Sequence, residues 1–323
     1  MPVAVNLDKP HRWKSDIAKS VRLYNRWFLA SAPKAFREQR EVATAHVTDA
    51  MVRTGNLTRI DAATLESHPG ILPSLRMAAC PPLARDRLVG LAGVSKSLVL
   101  KMERDAALPP RMAPAELFPS LTEIGRILSG VLDGDICPWI AENRAPVGDE
   151  ARMAAIVIAD RLCGMAANPI IRNAQERRQL DRVQAWLSER RYDRIPPGNP
   201  EDPASMPPGS FSFHMNVEGW MDEHGVNTVK IPVDIVIKPR GAASGDLPLF
   251  VEAKSAGDFA NVNKRRKEEA AKAGQLRRRF GSRARLVLFL GGYFDSGYLG
   301  YEAAEGIDWV WEHRIDDFEE FGL

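Results

Sequence analysis

The chain has 323 residues, 45% hydrophobic and 27% charged, enough for a large core and two domains in a soluble globular protein; a disordered or fibrous chain is excluded. The net charge of +2 announces no polyanion partner globally, and the widely spaced Cys80, Cys137 and Cys163 argue against a disulfide framework or a cysteine zinc site. The N-terminal stretch MPVAVNLDKPHRWKSD lacks an apolar signal segment, and the chain has no unbroken run of about 18 apolar residues, so a cytoplasmic protein with reduced thiols is expected.

Residues 1–12 read as a short arm. Ile17, Val21, Tyr24, Trp27 and Phe28 recur at helical spacing between Trp13 and Arg40, and the helical pattern continues from Glu41 to Thr54, where Gly55 closes it. Asp61–Ser67 is a short helix, and Pro69, Pro73, Pro81 and Pro82 punctuate the stretch after it. Ala84–Asp105, ARDRLVGLAGVSKSLVLKMERD, resembles a helix-turn-helix unit: one helix ends near Gly93, Ser95 caps the next, and Lys96, Lys101 and Arg104 decorate it. Val89 sits where such units usually carry a small residue, and an ordinary helical hairpin with solvated lysines fits as well. Ala115–Leu132 is an amphipathic helix, and the loop-rich DGDICPWIAENRAPVGDE divides the chain, giving an expected helical region 1–148 and a second region 149–323.

In the second region, Glu150–Gly164 reads as a buried helix, and a further long helix starts after Asn168-Pro169 with Glu176 among its arginines. A Pro/Gly-rich loop precedes the alternating strand PGSFSFHMNVEG, in which His214 reads as a structural histidine. Two more strands come next: IPVDIVI has Asp234 at its middle, and LPLFVEAK ends in Glu252 and Lys254. An acid inside a Val/Ile strand is costly unless it is paired or metal-bound. Seventeen residues separate Asp234 from Glu252, enough for two neighbouring strands and a loop. Glu252 and Lys254 lie two apart and share a strand face. Such a set can hold a divalent cation at Asp234, Glu252 and the Ala253 carbonyl, with Lys254 orienting a water, lowering its pKa or balancing charge. From Lys264 to Arg285 there are ten Lys or Arg against two Glu; from Tyr301 to Leu323 there are eight acids against one Arg. The basic helix, with Lys264, Arg265, Arg266 and Lys267 at its head, suits phosphates, and the acidic, aromatic tail suits packing on the sheet or in a dimer. A buried strand, RLVLFLGG, comes after the helix, so the region is an α/β sheet core.

The Asp…Glu-x-Lys array with its strands and basic helix resembles the PD-(D/E)xK nuclease superfamily. NLDKPHRW, VRLYNRWFLASAPKA, LRMAACPPLARDRLVGLAGVSKSL, NPIIRNAQERRQL, FVEAKSAGDFANVNKRRKEEA and YLGYEAAEGIDWVWEHRIDD together resemble the XamI/SalI family of type II restriction endonucleases, along nearly the whole chain. The resemblance implies a mixed central sheet flanked by helices. It also implies Mg²⁺-dependent cleavage of double-stranded DNA at a short palindrome, with GTCGAC the first expectation, to leave a 5′-phosphate and a 3′-hydroxyl. A homodimer is implied as well, together with a methyltransferase in the host as functional partner. It places Asp234, Glu252 and Lys254 in the catalytic positions and Glu176 near the metal. Val233 stands where the superfamily name has proline, and Gln275 is followed four residues on by Arg279, so the Gln-Tyr pair of RecB-like nucleases is absent.

Two other readings compete. One is a structure-specific or repair nuclease on the same core. The other is a DNA-binding regulator that reads DNA through residues 84–105, with Lys96 and Lys101 on phosphates. On the residues alone, Asp234, Glu252 and Lys254 are equally a structural ion-pair cluster at a sheet edge, and Glu176 a partner for Arg172 or Arg177.

Overall fold

A computed structural model describes residues 4–198, 201–259 and 262–323, with the side chains of 262–265 outside the description. The chain forms two compact units, one made of residues 1–31 and 172–323 and the other of residues 32–171. The divisions fall within the two longest helices, α1 (Pro10–Arg53) and α8 (Glu150–Glu189).

The unit of residues 32–171 is helical. After α1 come α2 (Ala62–Ser67), α3 (Leu72–Met77), α4 (Arg85–Ala92), α5 (Lys96–Asp105), α6 (Pro114–Gly130) and the short α7 (Pro138–Ala141). Local chemistry sets several of these ends. The Asp61 carboxylate accepts the Thr64 N–H and caps α2, and the Ser95 hydroxyl accepts the Leu98 N–H and caps α5. Gly93 ends α4 at φ 63°, which glycine adopts without steric cost. Leu65, Leu72, Leu75, Leu88, Leu98, Met102, Leu121, Ile124 and Leu128 are fully buried together, each contributing about 1.5–3 kcal/mol. One ion pair is also buried: Arg76 binds the Glu103 carboxylate at 2.5 Å and donates to the Leu83 carbonyl, so neither charge is left alone.

Helix α6 lies so close to the Ile60–Asp61 backbone that a Cβ on Gly125 would come within 2.3 Å of the Ile60 carbonyl oxygen. Gly125→Ala is therefore expected to destabilise the protein by about 1–3 kcal/mol, although alanine is the better helix former by about 1 kcal/mol. Urea unfolding monitored by circular dichroism measures this, and an unchanged or raised midpoint would contradict the close approach.

The expected break at Asn168-Pro169 does not occur. Helix α8 runs through Pro169. Proline removes one backbone donor at a cost of about 3 kcal/mol. Two anchored segments outweigh that cost: Ala154, Ile158 and Cys163 are buried before the proline, and Val183 and Leu187 after it. By length and composition α8 includes one window apolar enough to cross a membrane, but it is not an unbroken apolar run, since Asp160 and Arg161 interrupt it.

The other unit carries a six-stranded mixed sheet. The strands are β1 (Asp193–Arg194), β2 (Ser210–Trp220), β3 (Thr228–Lys238), β4 (Leu249–Ala256), β5 (Leu286–Gly292) and β6 (Asp308–Trp311), in spatial order 1-2-3-4-5-6. β2–β3 and β3–β4 are antiparallel; β1–β2, β4–β5 and β5–β6 are parallel. The parallel links need crossovers, supplied between β4 and β5 by α9 (Val262–Phe280) and between β5 and β6 by α10 (Ser296–Ala304). Ala273 and Leu276 of α9 pack with Val236, Phe250, Leu286, Leu288 and Leu290. Leu180, Val183, Trp186 and Leu187 of α8 pack with Ile235, Ile237, Val251, Val287 and Phe289. The sheet is thus covered by a helix on each face, which is why its strands read as nearly continuous apolar runs. Trp309 and Trp311 of the acidic tail are buried in β6, and the Asp308 carboxylate accepts the N–H groups of Val5, Asn6 and Leu7 from the N-terminal arm.

One irregularity in this sheet shapes the site. Phe211 and Phe213 of β2 lie in the α8 layer, yet Met215 and Val217, of the same parity, lie in the α9 layer. Ile235 and Ile237 of β3 divide from Ile231 and Val233 in the same way. A regular strand keeps one parity on one face. The pairing register keeps the same offset on either side, with Phe213 opposite Ile235 and Met215 opposite Val233, but His214 and Asp234 between them are not paired in the ladder. Both strands therefore reset their pleat at the level of His214 and Asp234, and His214 takes the left-handed conformation, φ 52°.

Candidate active site

Asp234 sits in that reset, between buried Val233 and Ile235. Its Oδ2 accepts the Ala253 N–H of the neighbouring strand at 2.9 Å. Burial, reinforced by the charge of Glu252, pushes its carboxyl up to about 6, against the pull of Lys254, the Ala253 N–H and Lys272.

Glu252 is only 1% exposed and is held by two ammonium groups. Lys254, on the same face of β4, contacts Oε2 at 2.9 Å; Lys272, from α9, contacts Oε1 at 2.9 Å and also donates to the Pro232 carbonyl at 2.9 Å. Burial opposes the charge on Lys254, but Glu252 and Glu269 outweigh it and raise its pKa. Glu269 stands 3.9 Å from Lys254 and accepts the Tyr298 hydroxyl at 2.6 Å. Behind it, burial and the charge of Glu269 push Glu302 up to about 9, so Glu302 is protonated at neutral pH. Gln179 of α8 donates to the main-chain carbonyls of Lys254 and Phe289, both at 3.2 Å, and so braces the end of β4 from the other face.

On the α8 side, Glu176, His214 and Asp234 converge: one ligand atom from each lies within 4.8 Å of the others. Among the described residues no ion pair joins Glu176 to Arg172 or Arg177. An open cleft of about 420 Å³ runs beside the cluster, lined by Glu176, Arg177, Arg194 and His214 among others. The sheet thus presents two groups that meet at Asp234: a carboxylate–imidazole cluster open to the cleft on the α8 side, and a buried cluster in which Glu252 binds Lys254 and, from α9, Lys272. Asp234 touches both, the first through its position and the second through Ala253 and the field of Glu252.

The structure brings Asp234 and Glu176 together, and brings Lys254 onto Glu252. Ala253 meets Asp234 through its N–H. The surface cations are more dispersed. Arg266 stacks over the Tyr301 ring at 4.9 Å, and Lys267 is exposed; the side chains of Lys264 and Arg265 lie outside the described residues. Lys96 pairs with Asp86 at 3.2 Å and Lys101 with Asp105 at 2.8 Å, in a helical hairpin closed as expected by Gly93 and Ser95. Sequence patterns miss two residues of the site. His214 looks like an ordinary strand histidine because its neighbours alternate regularly. Lys272 looks like one more cation of a solvated helix, and only its position eight residues after Lys264 sets it apart from the basic head of α9.

Comparison with known proteins agrees with the motifs. Residues 55–311 match the XamI restriction endonuclease family. The chain is 50% identical over 318 residues to the type II restriction enzyme SalI of Streptomyces albus G, covering 98% of this chain and 99% of that one. No solved structure matches. Membership over this length sets aside the repair-nuclease and regulator readings: the chain belongs to the XamI family of type II restriction endonucleases.

Proposed function

We propose that the chain cleaves double-stranded DNA at a short palindrome, GTCGAC being the first candidate, through a Mg²⁺-dependent centre on a PD-(D/E)xK core. The observation that carries this reading is the junction at Asp234, where the Glu176–His214–Asp234 cluster adjoins the Glu252–Lys254 pair. The donors fit a divalent cation. Two carboxylates and an imidazole converge from three elements at the mouth of a cleft, and the charge of Glu252 beside the buried Asp234 is one that a cation would offset.

Asp234 and Glu176 would hold the cation, with Glu252 and the Ala253 carbonyl completing the set expected from the sequence. The ion supplies charge neutralisation at the phosphate and a water of lowered pKa. The chain's own groups do the rest. Lys254 presents a fixed positive charge where the phosphate oxygens gain negative charge. Lys272 holds Glu252 and ties α9 to β3 through Pro232. Arg177 and Arg194 line the cleft where a DNA backbone would pass, and the run Lys264, Arg265, Arg266 and Lys267 remains, from the sequence, the further set of cations expected to meet phosphates.

A two-fold target is best read by a two-fold protein, so we assign a homodimer, with the helical unit and its Lys96 and Lys101 contributing to DNA reading and dimer contacts. Action in the cytoplasm beside a methyltransferase of the same specificity completes the reading. The test is digestion of a plasmid bearing one GTCGAC site, with Mg²⁺, and then end mapping. One linear product with a 5′-phosphate and a 3′-hydroxyl is expected. Discrete cuts at another sequence remove GTCGAC but keep the endonuclease, and a smear removes site specificity.

A further inference from the structure

We propose that His214 is a metal ligand, and that Glu176, His214 and Asp234 form a nitrogen-containing site able to take a divalent transition ion such as Mn²⁺. This rests on reading Asp234 as part of the metal centre and names a further member of it.

The first argument is availability. Both Glu252 oxygens are held by ammonium groups at 2.9 Å, whereas the imidazole beside Asp234 stands open on the cleft side, so it is available as a donor in addition to the set expected from the sequence. The second is convergence. The three ligand atoms, from α8, β2 and β3, lie within 4.8 Å of one another. Donors on opposite sides of an ion at bond lengths of about 2.1 Å stand roughly 4.2 Å apart, so small side-chain adjustments close the set. The third is the absence of a competing polar contact among the described residues; the ring contact of His214 is with Phe213, 6.4 Å between centroids. Among the described residues no hydrogen bond or ion pair ties His214 to either carboxylate, and its ring is exposed to the cleft rather than packed in a core.

The fourth argument is how His214 reaches the cluster. The pleat of both strands resets at His214 and Asp234, which places the pair at the level of Glu176 instead of in the regular alternation of the sheet. The reset costs a left-handed conformation at a residue with a side chain. Mg²⁺ takes octahedral oxygen ligands; Mn²⁺ shares that liking for carboxylates and, as a first-row transition ion, also accepts an imidazole nitrogen, so it suits a set of two carboxylates and one imidazole.

Mn²⁺ bound to the full-length protein should be examined by electron spin-echo modulation spectroscopy, without DNA. The expected result is modulation from a directly bound imidazole nitrogen. In His214→Gly that modulation should vanish, and Mn²⁺ affinity should fall by at least about tenfold, the lower end of what disturbing a metal's surroundings costs. Glycine adopts the left-handed conformation freely, so the backbone of β2 is preserved. Bound Mn²⁺ without imidazole modulation in the unaltered protein overturns the proposal, as does modulation that survives in His214→Gly. Plasmid cleavage is scored separately. Cleavage without imidazole modulation removes the His214 assignment alone. Imidazole modulation without cleavage supports it while removing the endonuclease reading of this centre.

Discussion

Replacing Lys254 with alanine is expected to lower the single-turnover rate of DNA cleavage by about 10²–10³-fold, the range seen when one preorganised donor to a developing negative charge is removed. The environment of Lys254 selects among the roles its position allows. A general base must be neutral, but Glu252 and Glu269 raise the pKa of this ammonium, and Glu252 contacts it at 2.9 Å. On the proposed function Lys254 would therefore act as a fixed charge; a buried carboxylate contacts its ammonium, and Gln179 donates to its main-chain carbonyl. Its removal leaves Glu252 still bound to Lys272, so Glu252 is not stranded as an unpaired buried charge. DNA affinity measured by fluorescence anisotropy in the presence of a chelator should change by less than about tenfold, the effect of losing one phosphate-facing charge. Cleavage at the wild-type rate would mean that the chemistry is elsewhere.

Much of the fold is legible in residue patterns because most elements obey one rule each. Asp61, Gly93 and Ser95 mark helix ends through local hydrogen bonding and backbone freedom, and the structure uses all three in that way. IPVDIVI and LPLFVEAK become adjacent antiparallel strands, β3 and β4, as the length of their loop allows. Where two rules compete, the pattern misleads. Proline at 169 reads as a break, yet long packed segments on either side keep α8 continuous. The tail's acids and aromatics conceal β6, whose burial depends on tertiary contacts that no local pattern records.

The site divides along the same line. Asp234, Glu252 and Lys254 are readable because a charged residue inside an apolar strand conflicts with its surroundings. His214 is not, because Phe211, Phe213, Met215 and Val217 alternate without interruption and suggest one unbroken apolar face. The structure sends the first pair and the second pair to opposite faces. A pleat reset preserves the apolar spacing in the sequence and so leaves no trace there. Lys272 is hidden for a different reason: a lysine reaching back to a buried acid looks, in sequence, like any lysine on a charged helix.

Asp234→Asn is expected to abolish cleavage, by at least about 10³-fold, while keeping sequence-specific DNA binding. On the proposed function metal ligation needs the anion, and asparagine would remove the charge that would gather a cation with Glu176. The fold should survive, because the asparagine oxygen can still accept the Ala253 N–H that Asp234 Oδ2 accepts. DNA binding in chelator should hold or tighten, since one negative charge facing the phosphates is gone. The metal-free protein should also gain stability. Burial and Glu252 raise the Asp234 carboxyl to about 6, above its ordinary value near 3.8. A raised acid binds its proton more tightly in the folded state, so its favourable contribution is full below about pH 4 and is lost as the pH rises through about 6. Above that pH the wild type bears a buried charge, and the variant does not. The variant should therefore be more stable at pH 8 by about 1–3 kcal/mol, at 1.36 kcal/mol per pKa unit, and the difference should close by pH 4. Urea unfolding at both pH values in chelator reads this directly. Equal loss of cleavage and specific binding, with lower stability at pH 8, would make Asp234 a structural acid. Loss of cleavage alone, with higher stability at pH 8, identifies a carboxylate that the fold keeps charged at its own expense.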